Sequence, residues 1–397
     1  MVIREQPPIG ATANEILNAP LEVAAAYAQA VELSLTEPMT LSFGTFPSRP
    51  SGWLSLVCEV NGESAVGYGE GATLPQPVFT EDCGGNIAGN MSELVHAIVD
   101  SPETTVNGAL QAIQEHRFAD GKHYPTARLA TEMAVLDAGT KAYQTSVKEL
   151  IGVPDGIAEV PYGKSIGGAS KSDILRQAEE ALGNNARKIK IKVSPGLFGD
   201  VMCAIDTLKQ EHPGIDIMVD ANGGFDPANA DHLVMLKGLD GQGLIMIEEP
   251  VSRVGSMRGL DAVRALRRSL PHLSTAICLD DCLQTQQDCQ TALEEGLAEV
   301  INIKPGRIGS FMRSLDLADL AVAKGAEVMV GGMLEGTPGR CMTTLLGAYC
   351  LYRGFTVPGD LSLAQERLAS DLVNTDKQLK LSPNGGIILP SGLGWGF

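Results

Sequence analysis

The sequence predicts an α/β protein built on a modified (β/α)7β barrel of the TIM type, preceded by a smaller α+β domain. Three observations predict it. From about residue 160, short β-branched or apolar runs alternate with helix-like stretches. The rhythm is even: Lys192 to Asp220 (220 − 192) and Asp220 to Glu248 (248 − 220) are both 28 residues, close to one βα unit of roughly 30. No glycine-rich phosphate-binding turn follows a strand, which favours a closed barrel over a doubly wound open sheet.

The elements follow in order. Residues 5–30 are polar and Ala-rich and predict an extra helix. "AVELSLTEPMTLSFGTFPS" and "WLSLVCEVNGESAVGYGEG" read as strands, with Asn61-Gly62 as a hairpin turn. "NGALQAIQEHRF" and "TARLATEMAVLDAGTKAYQ" read as helices. Barrel strands are expected at 160–166, 188–193, 215–220, 243–250, 275–280, 299–304 and 326–332, with an eighth near "FTVPG" at 355–359. Past residue 360 the chain returns to strands and turns that pack back on the first domain. The boundaries are therefore 1–155, 156–358 and 359–397.

Composition removes whole classes of function. A formal net charge of −18 argues against sequence-independent nucleic-acid binding, which needs a basic surface. No apolar run is long enough to span a bilayer, and the start lacks a basic region followed by an apolar stretch, so a cytoplasmic, non-membrane protein is expected. The eight cysteines lack paired C-x-x-C spacing and read as reduced thiols. Cys278 and Cys282 could hold zinc only with a second Cys/His pair, and none lies nearby.

The segment "KIKIKVSPG" (188–196) alternates lysine with aliphatic residues. One strand face is apolar; the other carries Lys188, Lys190 and Lys192 and looks at either water or something negative. The other strand ends supply the negative charge. Asp220, Glu248 and Asp280 end successive strands, and Lys304 ends the next. In a parallel barrel these ends share the C-terminal face, where active sites are built. Counting back by twos puts Met218, Met246, Cys278 and Asn302 inward. Three carboxylates repel one another unless a cation sits among them, and oxygen-only ligands suit Mg²⁺, with Mn²⁺ as a substitute. Lys188 sits a pleat deeper and reads as structural, paired with Asp216. Taken singly, "EEP", "LDD" and Lys304 would each read as solvated strand ends. Asp281 keeps that reading, or one of support behind the site.

The order Lys-x-Lys, "DAN", "EEP", "LDD", "NIKPG" resembles the enolase superfamily, in its muconate-lactonizing enzyme subgroup. The stretches "SFGT", "GYGEG", "MAVLDAGTKA" and "VGGMLEGTPGR" extend the resemblance over most of the chain. It implies a capping domain over the barrel and Mg²⁺ on Asp220, Glu248 and Asp280. It implies acid/base lysines at Lys192, with Lys190 beside it, and at Lys304 across the mouth. It further implies roles in substrate binding or support for Asn222, Asp281, Glu335 and Asp360, with Glu335 orienting Lys304 or touching substrate. None of the six histidines falls at a strand end, unlike the mandelate-racemase pattern of a His–Asp pair opposite the lysine.

The chemistry so implied is removal of a proton α to a carboxylate, with the enediolate held by the metal. Lysines on both faces suit a racemase or epimerase of an N-acylated amino acid or dipeptide-like substrate. Asp360-Leu361-Ser362 stands where related dipeptide epimerases carry Asp-x-Asp, so a blocked amine fits better than a free one. An o-succinylbenzoate synthase-type dehydration, a muconate-type cycloisomerisation and a non-catalytic carboxylate-binding barrel remain alternatives. The expected partner is a small carboxylate, and a homo-oligomer is expected.

Overall fold

The computed structural model describes residues 11–41, 44–102 and 104–397. The capping region is a three-stranded antiparallel sheet, β1 (Leu21–Leu41), β2 (Gly44–Val60) and β3 (Glu63–Ala72), in that order. Helices α1 (Ala11–Leu17), α2 (Ile87–Val99), α3 (Val106–Glu115) and α4 (Pro125–Ala142) pack with it. The helix expected over residues 5–30 is only α1. Residues 5–10 lie outside the described residues, and from Leu21 onward the Ala-rich stretch is strand. Its register with β2, Leu21 against Val60 through Val31 against Ser51, overrides the helix preference of alanine. Ser42 and Phe43 of "SFGT" also lie outside the described residues.

Helix α4 is buried on nearly every side, because it is sandwiched between the capping sheet and the barrel. This explains "GYGEG": a Cβ at Gly67 or Gly69 would strike the carbonyl oxygens of Ala134 and Ala130, so only glycine lets β3 lie this close. Acidic residues then tie the pieces together. Glu132 accepts from the N–H of Met312, at the first turn of the helix Phe311–Lys324, at 2.9 Å. Asp137 accepts from Tyr68 N and Trp395 N at 2.9 and 3.1 Å. The latter bond anchors the C-terminal tail on α4, and Trp395 Nε1 adds a bond to Met133 O.

A short strand β4 (Glu159–Pro161) pairs antiparallel with β12 (Gly386–Ile388), which also brings the C-terminal tail back on the molecule. Seven parallel strands form the barrel wall: β5 (Gly163–Ile166), β6 (Lys188–Lys192), β7 (Asp216–Asp220), β8 (Met246–Glu248), β9 (Ala276–Leu279), β10 (Val300–Ile303) and β11 (Glu327–Val330). Each neighbours the next in chain order, as right-handed βαβ crossovers require. The eighth strand expected at 355–359 is absent. Closure moves two residues on: Asp360 N donates to Val330 O of β11 at 2.7 Å, and Gly163 N of β5 donates to Leu361 O at 3.1 Å. Pro358 has no N–H to give a ladder, so a few backbone bonds stand in for a strand.

Met218, Met246, Cys278, Val300 and Met329 form a small apolar cluster of their own. It fills the barrel interior, with the inward residues that counting by twos predicts. Lys188 lies among them, fully buried. It does not pair with Asp216. Its Nζ donates to Pro358 O at 2.8 Å and contacts Met329 Sδ at 3.4 Å, because its side chain points into the barrel toward the closure segment. No helix among the described residues is long and apolar enough to cross a membrane.

Candidate active site

A cavity of about 380 Å³ opens at the C-terminal ends of the barrel strands. Lys190, Lys192, Asp220, Asn222, Asp280, Asp281, Lys304 and Asp360 all line it. Its roof is the capping segment from Ala72 to Asp82, with Met39 from the tip of β1. No histidine lines it.

The strand-end acids divide into two sets, each held by a cation of the chain. Lys190 Nζ lies 3.0 Å from Glu248 Oε2, 3.6 Å from Asp220 Oδ2 and 2.5 Å from Asp360 Oδ2. Burial pulls this ammonium down, but the three carboxylates outweigh it and hold Lys190 well above the ordinary lysine value. Lys190 is therefore a fixed positive charge. On the other side, Asp280 takes Lys304 Nζ at 2.7 Å on one oxygen and Arg307 at 2.6 Å on the other. Burial pushes its carboxyl up, but Arg307 and Lys304 win and hold it far below the usual range. For Lys304, burial lowers the ammonium and Asp280 more than restores it.

Glu248 is the acid least satisfied. Burial raises its carboxyl to about 8; Lys190 counters this, while Asp220 and Asp280 add repulsion. Its second oxygen accepts from Asn302 Nδ2 at 2.8 Å. A fully buried carboxyl between two other acids is a place short of positive charge, and the donor set is oxygen only; both fit a divalent cation. The three acids nonetheless do not bring one oxygen each within 4.8 Å of one another here. Among the described residues only Glu179, Glu211 and His212 do so, at the surface.

The remaining expected residues have defined places. Lys192, exposed at the mouth, donates to Asn222 Oδ1 at 3.1 Å, and Asn222 N donates to Asp220 Oδ1 at 2.9 Å. Asp281 pairs with Arg253 at 2.8 Å and faces Arg307 at 3.5 Å. Burial and Lys190 act oppositely on Asp360, and the lysine prevails, taking it to about 2. Glu335 does not reach Lys304. It accepts from Met333 N at 2.6 Å and faces Arg340 at 3.6 Å, so it shapes the turn after β11 from behind the cavity wall.

Two residues emerge only in the structure. Glu249, the second acid of "EEP", accepts from the N–H groups of Asp280 and Cys282. Its φ of +39° lies in the left-handed region, strained for a residue with a side chain. Arg307 stands three residues after Lys304, one turn into the short helix Pro305–Ile308. The spacing "K-P-G-R" was the available signal: i and i + 3 share a helix face.

Residues 24–152 match the family model described as "Mandelate racemase / muconate lactonizing enzyme, N-terminal domain", and residues 173–397 match "Enolase C-terminal domain-like". The chain is 30% identical to o-succinylbenzoate synthase from Geobacillus stearothermophilus, over 92% of this chain and 91% of that protein. It is 31% identical to N-succinylamino acid racemase from Thermus thermophilus, over 95% and 94%. Muconate lactonizing enzyme from Pseudomonas putida shares the fold with a TM-score of 0.78 at 20% identity, over 94% and 96%. The chain belongs to the enolase superfamily, within the mandelate racemase/muconate lactonizing enzyme group.

Proposed function

We propose that the protein racemises or epimerises an N-acylated amino acid, an N-succinyl derivative or a dipeptide-like carboxylate by 1,1-proton transfer. One observation carries this reading. Lys192 ends β6 and Lys304 follows β10, four strands apart in the sheet order, and both line one cavity. A carboxylate between them presents opposite faces of its α-carbon to the two amines. One lysine takes the proton; the other, already an ammonium, delivers one from the far side. Lys190 keeps its charge and attracts the substrate carboxylate. Asn222 steers Lys192 through their hydrogen bond.

Asp220, Glu248 and Asp280 are the residues that would hold Mg²⁺, or Mn²⁺ in its place. Bound there, the cation would act as a Lewis acid on the carboxylate and lower the cost of losing the α-proton. The site residues and the metal assignment rest on strand position and charge, as does the role of Lys192.

A second reading, dehydration of the o-succinylbenzoate synthase type, is favoured by the 30% identical relative of that name. It needs the same proton removal followed by loss of a β-hydroxyl. Incubation of each enantiomer of N-succinyl amino acids in D₂O separates the two. Exchange of the α-proton with inversion is expected, with Lys192→Ala and Lys304→Ala each abolishing exchange from one enantiomer. Water loss from a β-hydroxy carboxylate offered in parallel, with no α-proton exchange or inversion of the N-succinyl amino acids, would select the second reading, and full activity in both variants would remove both.

A further inference from the structure

Arg367, from the C-terminal tail, lines the active-site cavity and is exposed there. The acids nearest to it in the chain are taken. Glu366 pairs with Lys164 through Oε2, which also accepts the Tyr162 hydroxyl at 2.9 Å, and its Oε1 accepts Leu363 N at 3.0 Å. Asp360 Oδ2 is held by Lys190. Arg367 forms no ion pair among the described residues, and its guanidinium donates only a long bond to Ser165 O, at 3.5 Å. The chain carries a net charge of −18, so acids to pair it with are plentiful. A cation left unpaired at a cavity mouth draws anions into it.

The backbone of Arg367 is fixed although its side chain is not. Its N–H donates to Ala364 O at 3.0 Å, after the turn Ala364–Glu366, and its carbonyl accepts Thr36 N of β1 at 2.9 Å. The next residue, Leu368, is buried with Leu33 and Ala364. The guanidinium therefore hangs from a strap tied to the capping sheet, and little backbone order has to be gained when a ligand meets it.

Position gives the length of that ligand. Ser165 lies in β5, beside Lys190 of β6. Ser362 follows the closure segment, whose Leu361 O accepts Gly163 N of β5. Both serines line the cavity with Arg367. With the closure segment counted as the eighth member of the ring, β9 stands opposite β5. Asp220, Glu248 and Asp280 stand at the ends of β7, β8 and β9, so a molecule held there by one carboxylate reaches Arg367 only across the mouth.

We propose that Arg367, with the hydroxyls of Ser165 and Ser362 beside it, binds a second anionic group at the far end of the substrate's acyl arm. The substrate class is then an amino acid N-acylated by a dicarboxylic acid, rather than one with a neutral acyl group. This deepens the function proposed above and rests on it for the place of the α-carboxylate, but the anion site is testable without turnover.

Calorimetric titration of the full-length protein with Mg²⁺ present compares N-succinyl-L-valine with N-acetyl-L-valine. The native protein is expected to bind the succinyl compound about tenfold more tightly, the lower end for a charge-assisted hydrogen bond because the rim is exposed. Arg367→Gln is expected to erase that preference and Arg367→Lys to keep part of it. Arg367→Glu is expected to reverse it toward N-β-alanyl-L-valine, whose acyl arm ends in an ammonium; a merely loosened strap would not reverse a charge preference. A native protein indifferent to the succinyl carboxylate, or a preference that survives Arg367→Gln and Arg367→Glu, overturns the proposal. Exchange of the α-proton in D₂O is read on the same compounds. No exchange, with the preference and its reversal intact, removes the racemase reading and leaves the anion site standing. Exchange with a preference independent of Arg367 does the opposite.

Discussion

Glu249 Oε2 accepts the backbone N–H of Asp280 at 2.7 Å, and Oε1 accepts that of Cys282 at 3.1 Å. The residue just past the end of β9 is thus aimed by a carboxylate just past the end of β8. Glu249 is fully buried, and burial lifts its carboxyl to about 7 while the Ser252 and Asp280 hydrogen bonds pull it back.

Glu249→Gln keeps one acceptor and turns its NH₂ against the other N–H. Leaving a buried donor unpaired costs about 1–3 kcal/mol. Loss of a group that orients a ligand typically costs about 10–100-fold in metal affinity or activity. The Mg²⁺ concentration for half-maximal activity should rise in that range, with the substrate dependence at saturating Mg²⁺ changing less. Unchanged Mg²⁺ dependence would count against Asp280 as a ligand.

Lys190→Met removes the cation that Glu248, Asp220 and Asp360 share. Two buried acids and the half-buried Asp360 are left without it, and breaking such a cluster costs about 3–5 kcal/mol. Urea denaturation should show that loss without Mg²⁺ and a smaller one with it, since the cation would replace part of the missing charge. An equal loss in both conditions would separate Lys190 from the metal site.

How much of this was legible in the sequence differs from residue to residue. The strand-end charges were legible because period two and a 28-residue repeat place them on one rim without knowledge of any loop. Glu249 was not, because its role depends on a left-handed turn after β8 that moves its side chain across to β9. The partner of Lys188 was not legible because register puts Asp216 beside it in the sheet, while its side chain crosses the barrel interior to Pro358 O and Met329 Sδ. The missing eighth strand and the strand at Ala24–Ala30 share one cause. In both, a partner strand or a closing ring decided the outcome against the local preference.

Glu70 joins the capping sheet to the barrel. Its carboxylate accepts from Gly336 N and Gly339 N at 2.7 and 2.9 Å, at the start of the helix Thr337–Tyr352, and pairs with the fully buried Arg49 at 3.1 Å. Glu70→Gln strands that guanidinium, and a loss of about 3–5 kcal/mol is expected. Glu70→Gln/Arg49→Met should recover part of it, since no buried charge then lacks a partner. A double variant less stable than the single one would show that the Arg49 charge is not the source of the loss.

Asp82 gives the stability a pH signature away from the metal ligands. It is buried in the cavity roof, where burial raises its carboxyl from 3.8 to about 6 against the hydrogen bonds from Thr126 N and Asn90. Below about pH 4 both folded and unfolded chains hold the proton, and this group carries no penalty. Between about 4 and 6 the unfolded chain releases it first, so stability falls as pH rises. Above about 6 the full cost applies, on the order of 3 kcal/mol at about 1.4 kcal/mol per pKa unit. Asp82→Asn cannot ionise, so the difference in unfolding free energy between variant and native protein should shift in favour of the variant by that order from pH 4 to pH 7. Parallel curves across this range would mean that the Asp82 carboxylate is solvated in the folded protein.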